Sequence, residues 1–248
     1  MMKISIITVS FNSALTIGDT LRSVAVQRYP DIEHIVIDGA SHDATPEVVR
    51  TLGAHVKHFI SEPDNGIYDA MNKGIALATG DLIGFLNADD IFASPNSVTN
   101  MAAAVSANNS DAVYSDLVYV RADGTDKVVR RWRSGEYSRS RLRYGWMPPH
   151  PTFYVRSHVM RQVGPFDQRL RIAADYDFVL RCLAQPERRV AYLPEVLVRM
   201  RLGGASNHSV QAIWRKSRED LQVLRRSGVG GIGTLLCKNL RKIPQLLP

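Results

Sequence analysis

The sequence predicts an α/β fold: a mainly parallel central sheet flanked by helices, a smaller mixed region, and a helical C-terminus. Three observations carry that expectation. Over residues 3–86, β-branched runs alternate with segments of helical period. Between residues 112 and 132 the pattern switches to short strands around an Asp-Gly turn. From residue 206 onward the chain reads as basic and helical. Parallel strands need crossover connections, and each early helix supplies one.

Lys3 to Val9 is a β-branched run suited to a strand buried on both faces. Ala14 to Gln27 sets Ile17, Leu21 and Val24 on one helix face. Ile32 to Ile37 and Val56 to Ile60 are further strands, with a short helix from Asp43 to Leu52 between them. Ile67 to Ala78 keeps helical spacing through Ala70, Met71, Gly74 and Ile75, and Asp81 to Leu86 is a fourth strand. Ala112 to Ser115 and Leu117 to Arg121 are strands, and Asp123-Gly124 turns into Lys127 to Trp132. An Arg- and Ser-rich loop, Arg133 to Gly145, closes at Met147-Pro148-Pro149. Thr152 to Val155 is a strand, followed by helices at Arg156 to Val163 and Asp175 to Ala184. Arg189 to Leu193 is a strand and Glu195 to Leu202 is extended. Gly203-Gly204-Ala205-Ser206 breaks the chain before an amphipathic helix, Ala212 to Arg226, and a turn-rich stretch from Gly228 to Pro248. One domain is expected over 1–205, with 206–248 as a helical basic appendage.

At 248 residues, with 45% hydrophobic and 22% charged, the chain can bury a substantial core. The net charge of +7 suggests an anionic partner: nucleotide phosphates, nucleic acid or a membrane surface. No stacking motif supports nucleic acid. Cys182 and Cys237 form no C-x-x-C pair and read as reduced thiols. No stretch approaches the ~18 apolar residues of a membrane span, and no signal peptide is apparent. A cytoplasmic protein is expected.

In an open parallel sheet, ligands bind beyond the carboxyl ends of the strands. Three such ends carry polar clusters: Thr8-Val9-Ser10-Phe11-Asn12, Asp38-Gly39-Ala40-Ser41 and Asn87-Ala88-Asp89-Asp90. Each alone is also an ordinary turn or cap; three on one rim point to a site. Neither G-x-G-x-x-G after the first strand nor G-x-x-x-x-G-K-[ST] is present, which argues against dinucleotide and P-loop sites. Adjacent carboxylates at Asp89 and Asp90 repel unless a cation neutralises them, and nucleotide phosphates would complete the shell of a divalent metal. Asp69 and Lys73 stand at i, i+4, the spacing of a surface ion pair, and Asn65-Gly66 would present a helix N-terminus, a natural anion site.

The strings ISIITVSFN, VIDGASHDAT, EPDNGIYDAMNKGIALATGD and FLNADD, followed by PHPTFYVR and AADYDFVLR, resemble family 2 glycosyltransferases of the GT-A fold. The resemblance covers residues 3 to 205, with a nucleotide-sugar half to about residue 110 and an acceptor half beyond. It is similar to bacterial enzymes of cell-surface polysaccharide and glycolipid synthesis. It implies an inverting transfer of sugar from a nucleotide-diphosphate donor to a saccharide or lipid-linked acceptor, with Mn²⁺ or Mg²⁺ as cofactor. It assigns Thr8, Val9, Ser10, Asn12, Asp38 and Gly39 to the nucleotide, with Asn65, Gly66, Asp69, Asn72 and Lys73 bordering it. Asn87, Ala88 and Asp89 would meet donor, with metal on Asp89 or Asp90. The family's first acidic position is Asn87 here, which removes one charge. Asp175 matches the base, with Asp177 beside it, although the family's preceding Glu is Ala174. Asp175 would equally serve as a helix N-cap. His150, Arg199 and Arg201 would face acceptor or diphosphate, and 203–206 would act as a lid.

Two rival classes stay in view: a nucleotidyltransferase, which would want a Gly-rich basic loop after the first strand, and a non-catalytic nucleotide- or glycan-binding module. The Arg133 to Arg143 loop and the Lys238 to Lys242 tail suggest peripheral docking on the anionic inner face of the plasma membrane. A helix packed on the domain, or a homo-oligomer, would account for the tail equally well.

Overall fold

The structure, a computed structural model, describes residues 1–203 and 210–241. Gly204, Ala205 and Ser206 of the expected lid, the 205/206 boundary and Lys242 of the basic tail lie outside the described residues.

The first half follows the expected alternation. Strands β1 (Ile4–Ser10), β2 (Ile32–Asp38), β3 (Val56–Ser61) and β4 (Leu82–Phe85) pair in parallel in the order β3-β2-β1-β4. Helices α1 (Ile17–Ala25), α2 (Thr45–Leu52) and α3 (Ile67–Leu77) connect them. Every residue of β1 is buried because both sheet faces are covered. Ile7 and Val9 join Ala70 and Met71 of α3 in one cluster, while Ile4 and Ile6 join Val24 of α1 in another. Gly74 lets α3 lie against β1, since an added Cβ would run into Ile7 Cγ2.

The second half is mixed. It contains β5 (Ile91–Phe92), α4 (Ser97–Ala107), β6 (Ala112–Arg121), β7 (Gly124–Trp132), α5 (Arg139–Leu142), β8 (Tyr154–Arg156), α6 (Ser157–Val163), α7 (Ala174–Leu183) and β9 (Val190–Arg201). The sheet continues β4-β8-β6-β9-β5, with β7 paired to β6. Helices α8 (Val210–Arg226) and α9 (Ile232–Leu240) close the described chain.

Several expectations are corrected. The two strands expected on either side of Asp116 are one strand, β6, whose register against β9 shifts there. Asp116 itself is buried, accepting from the Ser134 amide at 2.7 Å and the Tyr192 hydroxyl at 2.8 Å. Thr152 belongs to a 3-10 turn, His150–Thr152, and not to a strand. Pro149 precedes that turn and Pro151 lies within it, and Thr152 Oγ1 donates to the Pro149 and Ser115 carbonyls. Residues 97–107, which carry no expectation above, form α4 and bury Val98, Met101, Ala102 and Val105 at helical spacing. The stretch after Gly228 contains a helix, α9, and not only turns.

The C-terminal helices are packed into the domain. Val223 and Leu224 of α8 belong to the same buried cluster as Tyr176 and Phe178 of α7. Among the described residues no helix is long and apolar enough to cross a membrane. Cys182 and Cys237 are free thiols, as expected.

Glu33 is buried in β2, where its carboxylate accepts from Lys3 Nζ at 2.7 Å, Ser5 Oγ at 2.6 Å, and the Thr79 amide and hydroxyl at 2.8 and 2.6 Å. Burial alone would raise its pKa, but these donors pull it down to about 2. A carboxylate depressed on folding stabilises the fold fully above its unfolded pKa and loses that contribution as pH falls toward 2. Glu33→Gln is therefore expected to cost on the order of 3 kcal/mol at pH 7 and to flatten the loss of stability between pH 4.5 and 2. Urea unfolding curves across that range check both.

Candidate active site

The sheet brings the three strand-end clusters onto one rim, as expected. They divide into residues that build the rim and residues that can meet a ligand.

Asp38 builds it. It is fully buried, and its carboxylate takes Ser10 Oγ at 3.1 Å, the Ser41 amide at 2.9 Å, Ser41 Oγ at 2.5 Å and Ser61 Oγ at 2.7 Å. These bonds hold the ends of β1, β2 and β3 together and occupy both carboxylate oxygens. Nor does Asp38 cap the following helix; Asp43, bonded to the Thr45 amide at 2.9 Å, stands at that entry. Thr8 is also buried, bonded to His34 Nε2 at 3.0 Å, and Val9 is core. Asn12, at φ 49°, stitches the two loops: its amide donates to Ser41 Oγ at 2.8 Å and its Oδ1 accepts from His42 N at 2.9 Å.

Beyond this framework, Phe11 is 59% exposed and edges onto His42. Gly39 lies between Phe11 and Asp64, and a Cβ there would collide with Asp64 Oδ2. Asp64 Oδ1 accepts from the Gly66 amide at 2.8 Å. Phe11 and Asp64 therefore form the open wall of this end of the rim. Both sit inside strings quoted above, but only the structure brings them to the two sides of Gly39.

Helix α3 opens at Gly66, whose φ of 113° favours glycine. Asp69 turns back on the Asn65 amide at 3.0 Å and accepts from Gln168 Nε2 at 3.1 Å. The expected Asp69–Lys73 pair is replaced: Lys73 Nζ meets Glu62 at 2.7 Å and the Pro63 carbonyl at 2.9 Å. Asn72 is structural, exchanging two hydrogen bonds with the Phe166 backbone at 3.0 and 2.8 Å.

The acidic turn follows β4. Thr20 Oγ1 donates to the Asp90 carbonyl at 2.8 Å, and Arg201 Nη1 to the Asp89 carbonyl at 2.9 Å. Arg201 is itself 7% exposed and paired with Asp19, so it braces the turn from β9. Ala88 is buried in a core cluster. Asp90 is fully buried, and neither of its carboxylate oxygens, nor Asn87 Oδ1, meets a hydrogen-bond partner among the described residues. Burial, reinforced by Asp89, pushes the Asp90 carboxyl well above the usual range. Asp89 is partly exposed; burial raises it too, opposed by Arg201 and His150. Arg199 does not share the turn: it bonds the Thr125 carbonyl at 3.0 Å.

Helix α7 opens beside His150. Asp175 is its second residue, not its N-cap, which is Ala173. Asp175 Oδ1 accepts from the Tyr176 amide at 2.7 Å and lies 3.4 Å from the Tyr68 hydroxyl, while Oδ2 lies 3.6 Å from His150 Nδ1. Burial lowers the His150 pKa, with Asp175 and Asp89 pulling the other way. His150 thus sits in the field of both acids. Asp177 turns away: it is buried and paired with Arg181 at 2.8 Å and Arg226 at 2.5 Å. That pairing removes it from the acceptor-facing set.

The backbone that leads into α7 is held from outside. Glu219 of α8 accepts from the amides of Arg171, Ile172 and Ala173 at 3.2, 2.8 and 3.0 Å. Arg171 in turn reaches the Asn65 carbonyl at 2.9 Å, tying this segment to α3. Glu219 lies outside every string that carries the resemblance, so nothing in local sequence marks it.

The donor set at the turn fits a divalent cation that arrives with a ligand. Oxygens of Asn87 and Asp90 lack donors, and Asp89 presents a partly exposed carboxylate. Among the described residues no group of three His, Cys, Asp or Glu would hold a metal unaided.

A family model described as "Glycosyl transferase family 2" matches residues 5–170. The chain belongs to glycosyl transferase family 2. It is 35% identical over 186 residues to an uncharacterized glycosyltransferase, Rv1514c, of Mycobacterium tuberculosis H37Rv, covering 72% of this chain and 68% of that protein. It is 31% identical over 208 residues to a PGL/p-HBAD biosynthesis glycosyltransferase of Mycobacterium bovis BCG, covering 82% and 78%. In fold it is similar to S. aureus TarS 1-349 in complex with UDP-GlcNAc, with a TM-score of 0.74 at 21% identity, covering 92% of this chain and 66% of that one. The mannosyltransferase PcManGT from Pyrobaculum calidifontis, in complex with GDP-Man and Mn²⁺, gives a TM-score of 0.67 at 18% identity, covering 99% and 72%. The fold is therefore GT-A, and the protein is a glycosyltransferase.

For this glycosyltransferase, Glu219→Gln is expected to lower kcat roughly ten-fold while leaving the donor KM nearly unchanged. Glu219→Asp should recover part of the loss. A fall in donor affinity equal to the fall in kcat would assign Glu219 to general stability instead.

Proposed function

We propose that this enzyme transfers a sugar, with inversion, from a nucleotide-diphosphate sugar to a saccharide or lipid-linked acceptor of a cell-surface polysaccharide or glycolipid. The observation that carries the reading is the placing of Asp175 of α7 beside His150 and the Tyr68 hydroxyl of α3, with Asp89 partly exposed at the acidic turn. Relatives and neighbours support it in kind: one is named for PGL/p-HBAD biosynthesis, and two structures hold UDP-GlcNAc and GDP-Man.

The base would enter between Phe11 and Asp64, with stacking on the exposed ring and a base N–H donated to Asp64 Oδ2. The diphosphate would lie toward the α3 N-terminus and Asp89. Mn²⁺ or Mg²⁺ would be held there by Asp89, with Asn87 and Asp90 behind it, and when bound would neutralise charge on the leaving diphosphate. On the other side, Asp175 takes the proton of the acceptor hydroxyl as its oxygen bonds to the anomeric carbon and the carbon–oxygen bond to the diphosphate breaks. Tyr68, whose phenol burial pushes up, stays protonated and orients Asp175 together with His150. A lipid-linked acceptor would bring the enzyme to the inner face of the plasma membrane as a peripheral protein.

A thermal-shift panel of UDP-, GDP- and dTDP-sugars, each with and without Mn²⁺ or Mg²⁺, tests the donor. One nucleotide class should stabilise the protein, more strongly with metal; stabilisation by none would overturn the reading. Asp175→Asn should keep that stabilisation and lose turnover by ~10³-fold or more. Asp64→Asn should weaken donor binding about ten-fold with an unchanged melting temperature, whereas Asp38→Asn should lower the melting temperature itself.

A further inference from the structure

Helix α9 is oriented opposite to what its composition suggests. Its lysine is inside, and three of its four aliphatic side chains, all but the partly buried Leu235, are outside. Lys238 is 5% exposed, paired with Asp220 at 2.8 Å, with its ammonium 3.2 Å from the centre of the Tyr176 ring. Thr234, one turn earlier on the same face, donates to the Arg143 carbonyl at 2.8 Å. Ile232, Leu236 and Leu240, spaced four apart on the opposite face, are 59%, 58% and 61% exposed. The internal pair fixes the rotation of the helix, and the rotation presents a continuous aliphatic stripe to the outside.

The same contacts seat a cationic loop against the inner face of α9. Residues 131–143 carry five arginines against one acid, Glu136. Arg141 is engaged with the Glu136 carbonyl and the Trp146 ring. Arg139 and Arg143 are exposed and make no ion pair among the described residues. They line a cleft of about 270 Å³ with Ser140, Ser227, Gly228 and Val229, at the turn leading into α9. Arg241 adds a further exposed cation at the far end of the helix.

We infer that this face docks on an anionic phospholipid bilayer, the aliphatic stripe entering the headgroup–acyl boundary and the Arg139–Arg143 cleft receiving a lipid phosphate. Charge decides between a bilayer and a second copy of the chain. A two-fold dimer would set this face against itself, bringing like-charged arginines together around the aliphatic contact. An anionic membrane satisfies the stripe and the arginines at once. The geometry also links the surface to the site. Gly145 is wedged against Lys238 of α9, and the chain then runs five residues to His150. The inference deepens the lipid-linked reading of the acceptor, and it is testable without any donor.

The test is flotation of the full chain, without nucleotide, on phosphatidylcholine vesicles with and without about 30 mol% phosphatidylglycerol. Binding should require the anionic lipid and fall with salt. Leu236→Asp should weaken it roughly ten-fold or more, and Arg139→Glu and Arg143→Glu about five-fold each, with unchanged melting curves. Ile232→Ser serves as a second, milder probe of the stripe. The inference is overturned if the wild-type chain does not float on anionic vesicles at low salt, or if it floats equally well after these substitutions. A concentration-dependent dimer that Leu236→Asp dissolves would assign the face to a second copy and overturn it too. Failure here with a positive donor panel would remove the docking surface and leave the transferase reading standing.

Discussion

Two adjacent carboxylates at the end of β4 set the terms for the whole site. Asp90 is sealed from solvent with no donor, and Asp89 stands beside it only partly exposed. A low-dielectric pocket of that sign is costly unless cations surround it. The fold supplies a single buried guanidinium from β9, Arg201, which braces the turn through a carbonyl. It leaves the carboxylate of Asp89 free to take part in binding. Burial raises the Asp90 pKa in response, and the proposed cation arriving with a diphosphate would neutralise the rest. The strand order β4-β8-β6-β9-β5 puts β9, and with it Arg201, within reach of this turn.

The opposite wall depends on the chain's C-terminal helices. Asp175 is useful only if the start of α7 is held still, and α7 has no side-chain cap of its own. Glu219 of α8 instead fixes the segment entering α7 by gathering three successive amides ahead of the first turn. Arg226, from the same helix, neutralises Asp177. Tyr68 reaches across from α3 to Asp175. The helices beyond the core sheet thus hold the segment that carries Asp175, and the ion pair that rotates α9 exposes the surface inferred to meet the membrane.

Much of the fold was legible because hydrophobic period survives tertiary folding. The first four strands and their helices fall where β-branched runs and apolar spacing place them, with ends shifted by a few residues. α4 was less legible, because Ala, Ser and Asn around its four buried residues blur the polar face. The unity of β6 was hidden by Asp116, a buried acid at a register shift whose partners are far away in sequence.

The sequence by itself determined the family, the α/β scaffold, the acidic turn and the presence of Asp175 at the opening of a helix. These are carried by short strings whose residues act where they stand. Only the tertiary structure decided which polar residues are available. Asp38, Thr8, Asn72 and Asp177 are spent on internal partners, Phe11 and Asp64 are left open, and Lys73 pairs with Glu62 and not with Asp69. The physical reason is that a polar group's role is set by its donors, acceptors and burial. Those come from segments tens of residues away, which no local pattern encodes.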